Sequence, residues 1–154
     1  MRLLKAHGIK QVLDVRAIPK SRHNPQFERS RLAAALRARG VGYRWMPKLG
    51  GRRRPHPDSS NAGWRNPQFR GYADYMATPE FAMAVKTAEA IGESKPTALM
   101  CAEAVPWRCH RTLIADALTA QSWHVRHIIG LSAARPHRAT PFMQVKRGKI
   151  SYPQ

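Results

Sequence analysis

The densest run of reactive side chains lies between residues 101 and 111: Cys101-Ala102-Glu103-Ala104-Val105-Pro106-Trp107-Arg108-Cys109-His110-Arg111. A thiol close to Arg and His, or at a helix N-terminus, ionises easily, and the thiolate is both a nucleophile and a metal ligand. The residue types assign Cys101 as nucleophile or ligand, Glu103 as acid or base, and His110 as a catalytic partner. Arg111 and Arg108 beside it hold an anion at the free N–H groups of a helix start. Cys101, Cys109 and His110 can also coordinate a metal. Their spacing is not that of a Cys-x-x-Cys knuckle, so neither a metal nor a cofactor is assigned from the sequence. A redox switch between Cys101 and Cys109 is a lesser alternative. The bland reading makes Cys101 a small buried strand end and His110 a hydrogen-bonded cap.

A second cluster, Asp14-Val15-Arg16, supplies an opposite wall: Asp14 as a further catalytic acid or base and Arg16 as an anion holder. A structural ion pair is the competing reading. Lys48, Gly50 and Gly51 form a third group, in which the glycines admit close backbone approach to a ligand. No Gly-Lys-Ser or Gly-Lys-Thr follows, so this is not a P-loop. The run Arg52-Arg53-Arg54 is either a solvated surface or a nucleic-acid contact. Trp45, Trp64, Tyr72 and Tyr75 stand among Arg44, Arg65 and Arg70, a mixture that suits base stacking but equally a core.

The elements that must carry these groups alternate. A helix end over Met1–His7 closes at Gly8, and Gln11–Val15 reads as a buried strand. Asn24-Pro25 opens a helix to about Arg39, with Leu32, Ala35 and Leu36 inward and Gly40 as its stop. Tyr43–Met46 is a second strand, and Lys48–Gly63 is a broken polar loop. Asn66-Pro67 and Thr78-Pro79 start two further helices. Thr97–Cys101 is a third strand, Pro106–Gln121 the strongest helix, and His124–Ile129 a fourth strand. Val145–Tyr152, turning at Arg147-Gly148, reads as a hairpin. The tetrapeptide Asn-Pro-Gln-Phe occurs twice, at 24 and at 66, and reads as two independent helix starts.

This order predicts an α/β fold: an open, mostly parallel sheet of about four strands with helices on both faces and a small basic C-terminal hairpin or tail. Residues 1–130 form one α/β domain, and 131–154 a basic extension packing on or beside it. Ligands of open α/β sheets bind beyond the strand carboxyl ends. That rule predicts that Cys101, Glu103, His110 and Asp14 meet at one sheet edge.

Composition supports a binding partner. Among 154 residues, Lys plus Arg number 27 and Asp plus Glu 9, a net charge of +18. Arg outnumbers Lys 19 to 8 beside 22 Ala, a pairing that a GC-rich genome also produces, but genome bias does not explain the scarcity of acids. Polyanions such as nucleic acid or nucleotides are the partners this charge favours. No apolar run approaches the about 18 residues of a membrane span. Two cysteines suit a reduced, cytoplasmic setting, and neither a signal peptide nor a membrane partner is expected.

In order and spacing, the motifs resemble those of the family known as domain of unknown function 488. The matching stretches are Val12-Leu13-Asp14-Val15-Arg16 with Pro19 and Ser21-Arg22, Asn24-Pro25-Gln26-Phe27, Leu49-Gly50-Gly51, Phe69 to Met76, and Cys101-Ala102-Glu103 with Pro106 and Cys109-His110-Arg111. Ser151-Tyr152-Pro153 looks like the family's close. The resemblance implies an α/β fold and names no substrate. It also implies a leading strand of the type Thr-Ile-Gly-His-Ser, whereas this chain opens inside the helix that would follow it. The functional expectation is an enzyme, or a relic of one, acting on or binding a phosphate-bearing ligand such as a nucleotide or nucleic acid. The alternative is a non-catalytic nucleic-acid-binding module.

Overall fold

The computed structural model describes residues 1–154. Its centre is a parallel sheet of three strands, β1 (Gln11–Asp14), β2 (Gly42–Trp45) and β3 (Thr97–Met100), in the order β2-β1-β3. β1 lies in the middle, with Val12 opposite Tyr43 and Ala98, and Asp14 opposite Trp45 and Met100. All four residues of β1 are buried, as a central parallel strand requires.

Alternation along β1 sends its side chains to two different cores. Val12 packs with Leu32 and Leu36 of α2 (Arg29–Arg37) and with Leu4 of α1 (Arg2–Ala6). Leu13 and Val15 join the larger core with Tyr72 and Tyr75 of α3 (Pro67–Met76), Phe81 and Val85 of α4 (Pro79–Ser94), and Leu113 and Ile114 of α5 (Arg111–Ala120). Helices therefore cover both faces of the sheet. No helix is long and apolar enough to cross a membrane.

The helix starts are chemical. Asn66 Oδ1 accepts from Gln68 N–H, Thr78 Oγ1 accepts from Phe81 N–H, and a proline follows each cap. Gly8 takes φ +64° where α1 ends.

Three expectations need correction. The parallel sheet has three strands, not four: Arg126–His127 (β4) pairs antiparallel with Arg135–Pro136 (β5), outside the main sheet. The helix expected from Asn24 is instead a 3₁₀ turn, Pro25–Phe27, followed by α2. Glu28 is extended between them, and the Phe27 carbonyl accepts from the Arg16 guanidinium. The helix expected from Pro106 is likewise split into a 3₁₀ turn at Pro106–Arg108 and α5, because Cys109 is extended.

The C-terminal hairpin forms from β6 (Gln144–Lys146) and β7 (Lys149–Ser151). Arg147 and Gly148 both have positive φ, 49° and 75°, as a two-residue type I′ turn demands. Beyond it, Tyr152 returns to the large core, 1% exposed, where its ring centroid lies 5.6 Å from that of Trp64.

A thiol and imidazole cluster at the carboxyl edge of the sheet

Where β3 ends, the chain enters the loop that carries Cys101 and returns through Cys109 to His110, the residue before α5. Folding brings the two sulfurs and a His110 ring nitrogen within 4.8 Å of one another. Cys101 and His110 are half-buried, and Cys109 is buried. His110 is tied to the end of the central strand: its Nε2 lies 3.0 Å from the Val15 carbonyl oxygen. A carbonyl only accepts, so this nitrogen carries the proton and donates. In the neutral ring the Nδ1 lone pair then faces Cys109 Sγ, 3.6 Å away.

Arg111 completes the cluster from the first turn of α5. Its backbone N–H and its Nε each donate to Cys109 Sγ at 3.4 Å, and its guanidinium also donates to the Glu103 carbonyl, tying the loop down. The two sulfurs shift each other. The interaction with Cys109, with His110 and the Glu103 backbone, outweighs burial and pushes Cys101 down to about 4. The interaction with Cys101, with burial, pushes Cys109 up. Arg111 places its positive charge beside Cys109.

Gly50 and Gly51 have separate tasks. A Cβ on Gly50 would meet the Ala17 Cα at 2.9 Å, so that glycine lets two loops touch. A Cβ on Gly51 would meet His110 Nδ1 at 3.0 Å, so Gly51 keeps open the space beside the imidazole. Tyr72, with its ring centroid 5.1 Å from that of His110 and its hydroxyl donating to the Leu49 carbonyl at 2.8 Å, closes the inner side.

Asp14 belongs to the same edge of β1 but is fully engaged elsewhere. Its carboxylate accepts from Arg16 N–H at 3.1 Å, from Arg16 Nε at 2.8 Å, from the Arg16 terminal nitrogen, and from the Tyr43 hydroxyl at 2.6 Å. Arg16 is raised, first through its hydrogen bond to Asp14, and Tyr43 is raised by burial and by the same carboxylate. Trp45 Nε1 donates to the Arg16 carbonyl and fixes the turn. Tyr43 was not singled out from sequence, and Trp45 only as a base-stacking or core aromatic. The signal was present, since alternation along the neighbouring parallel strand aims Tyr43 and Trp45 at one side.

Glu103 and Arg108 stay on the segment that joins Cys101 to Cys109 and are exposed. The other expected residues disperse. Lys48 pairs with Glu80 at the surface. Arg53 lies over the Tyr75 ring, 3.6 Å from its centroid, while Arg52 and Arg54 face solvent. A cavity of about 520 Å³ opens between β3, α4, α5 and residues 123–134, and of the cluster it touches only Arg111.

A second polar assembly escaped the sequence reading. Asp116, 0% exposed, accepts from His137 Nε2 at 2.8 Å, Thr140 N–H at 3.0 Å, Thr140 Oγ1 at 2.7 Å and the Tyr152 hydroxyl at 2.9 Å. His137 Nδ1 in turn lies 2.9 Å from His127 Nε2.

These features define an α/β protein with a cysteine and histidine cluster at the carboxyl edge of a parallel sheet. The chain belongs to the family described as domain of unknown function DUF488, which it matches over residues 1–118. No curated protein and no solved structure matches it.

Proposed function

We propose that the chain is an enzyme acting on a phosphate-bearing ligand, a nucleotide or nucleic acid, at the carboxyl edge of its sheet. The observation that carries this reading is the convergence of Cys101, Cys109 and His110 within 4.8 Å at the end of β3, with Arg111 beside them. Strand carboxyl ends followed by a helix start are where open α/β sheets bind ligands, and the peptide N–H groups there favour anions. The reaction runs at the Cys101 sulfur. His110 positions and polarises, Arg111 and Arg108 hold the anion, and Glu103 supplies an acid or base from the exposed loop. Asp14 and Arg16 hold the far wall rigid. The test is consumption of a panel: p-nitrophenyl phosphate, nucleoside triphosphates, and short DNA and RNA. At least one is expected to be consumed, with the rate falling at least about 100-fold in Cys101→Ser. No consumption of any member, or an unaffected Cys101→Ser, overturns the reading.

A second reading is favoured by the net charge of +18 and the solvent-facing Arg52 and Arg54: a nucleic-acid-binding module. It predicts oligonucleotide affinity that falls steeply with salt and is indifferent to Cys101→Ser. Affinity unmoved between low and moderate salt rejects it.

A further inference from the structure

We propose that Cys101 Sγ, Cys109 Sγ and His110 Nδ1 together bind a single zinc-class metal ion, leaving one coordination position open. This rests on the reading of the strand-end cluster as a site and assigns Cys101 the role of ligand within it. In the sequence this was a weak reading, because the separation of residues 101 and 109 is not that of a Cys-x-x-Cys knuckle. In the fold, the intervening loop doubles back through the Pro106–Arg108 turn and sets both sulfurs against one imidazole.

Four observations converge. The first is distance. Zinc–sulfur bonds of about 2.3 Å and zinc–nitrogen bonds of about 2.0 Å give tetrahedral edges of about 3.5–3.8 Å. The Cys109 Sγ to His110 Nδ1 separation is 3.6 Å, and no pair in the cluster exceeds 4.8 Å. Closing the widest pair to a tetrahedral edge therefore takes about 1 Å of side-chain movement. The second is the tautomer. Ligating histidines give their other ring N–H to a carbonyl or carboxylate, which aims the free lone pair. His110 does this through Nε2 to the Val15 carbonyl, leaving Nδ1 as the nitrogen that faces the sulfurs.

The third is outer support of a sulfur ligand. Arg111 N–H and Nε both donate to Cys109 Sγ, contacts that stabilise a metal-bound thiolate and offset its charge. The fourth is room. His110 Nδ1 has no oxygen or nitrogen partner, and Gly51 leaves space at that nitrogen that any Cβ would enter, at 3.0 Å. Two sulfurs and one nitrogen select zinc over magnesium or calcium, and three protein ligands leave a fourth position for water or a phosphoryl oxygen. On binding, the thiol protons leave to solvent and the ion keeps its oxidation state.

The experiment uses the full chain, reduced with a phosphine and freed of metal, and Co²⁺ as the optical probe. The expected result is one Co²⁺ per chain with near-ultraviolet sulfur-to-cobalt charge-transfer absorption and the visible bands of a tetrahedral ion, all displaced by Zn²⁺. Charge-transfer absorption per cobalt should fall about twofold in Cys101→Ser, one of two sulfurs being lost. His110→Gln should weaken the tetrahedral bands. His137→Gln should leave every band intact, because His137 belongs to the Asp116 assembly. Absence of charge transfer in the reduced protein, or an unchanged spectrum in Cys101→Ser, overturns the proposal. Should Cys109→Ser fail to fold, the half-buried Cys101 still decides the matter. Cobalt bands without turnover of any phosphate-bearing substrate would sink the enzymatic reading and leave the metal site standing. Full turnover by metal-free protein that shows no cobalt bands would do the reverse.

Discussion

Two kinds of polar assembly lie within this small fold, and they differ in how completely their bonding capacity is used. The buried carboxylates are richly bonded on both oxygens. Asp116 accepts four hydrogen bonds, Asp14 accepts four, and Asp74 accepts three, from His56 N–H, Ser59 Oγ and Asn61 Nδ2. The thiol and imidazole cluster is less fully bonded: His110 Nδ1 meets only a sulfur. Buried polar groups so richly bonded specify a structure, whereas groups with capacity left and a clear approach can meet a ligand. Asp116 is therefore a tie between α5 and the C-terminal chain, and on the proposed function Cys101, Cys109 and His110 carry the chemistry. Substitutions in the two assemblies should separate stability from activity.

The largest effect on stability belongs to Asp116. Asp116→Ala leaves His137, Thr140 and Tyr152 without their common acceptor inside the protein. We expect a loss of about 3–5 kcal/mol in urea denaturation, the cost of breaking a buried network. Cys101→Ala, at a half-buried position, should cost no more than about 1 kcal/mol while abolishing turnover. Equal losses at the two positions would erase the distinction between the assemblies.

Acid sharpens the same contrast. Burial alone would raise Asp116, but the hydrogen bonds from His137, Thr140 and Tyr152 outweigh it and hold the carboxyl below its usual range. His127 is lowered as well, by burial first and then by the neighbouring His137 and Arg111 charges. Both groups bind protons more weakly folded than unfolded, so both contributions are lost on acidification. The His127 contribution is complete above the unfolded histidine value of about 6.5 and declines as pH falls toward its folded value. The Asp116 contribution persists to the unfolded carboxylate value of about 3.9 and disappears below it. Denaturation midpoints measured against pH should fall in two stages. His127→Gln should remove the upper stage and leave the lower. A stability that rises on acidification through the upper range would contradict the assignment.

The Asp14 assembly should yield a smaller change. Tyr43→Phe removes one of four donors and leaves the Arg16 contacts in place. About 1 kcal/mol is expected from denaturant midpoints, with little change in turnover, since this wall supports the site without entering it.

How much of this was legible in the sequence depended on range. The three parallel strands and the caps at Asn66 and Thr78 were readable because they rest on neighbouring residues. The repeated Asn-Pro-Gln-Phe marks the limit. At 66 it opens an α-helix whose Asn caps it. At 24 it makes a 3₁₀ turn without a cap bond, because the Phe27 carbonyl is bound by Arg16 and Arg29 N–H reaches back to Pro19. The fourth strand was misplaced for a similar reason. His127 is held by His137, itself fixed on Asp116, and His137 N–H binds the Val125 carbonyl, which draws 126–127 into an antiparallel pair. Contacts across such separations leave no periodicity to detect. In the site, the density of Cys, His and Arg was visible, but the bond from His110 to Val15, 95 residues away, was not.

The smallest structural perturbation tests the cluster most directly. Gly51→Ala adds one methyl group whose Cβ would sit 3.0 Å from His110 Nδ1, tighter than ordinary contact. Gly51 does not use positive φ, so alanine brings no backbone strain there, and the effect is confined to the imidazole. His110 cannot retreat freely, because its Nε2 is bound to Val15 and Tyr72 stands behind the ring. The ring must shift by a few tenths of an ångström, tilting Nδ1 away from the two sulfurs. Stability should change by less than about 1 kcal/mol, a single tight contact being relieved locally. Turnover should nevertheless fall about tenfold, since reacting groups tolerate little misplacement. Ala17→Gly, which removes the methyl group beside Gly50, serves as the control for loop packing. Should Gly51→Ala retain full turnover, free space at Nδ1 is not needed, and His110 acts only through its bond to the central strand.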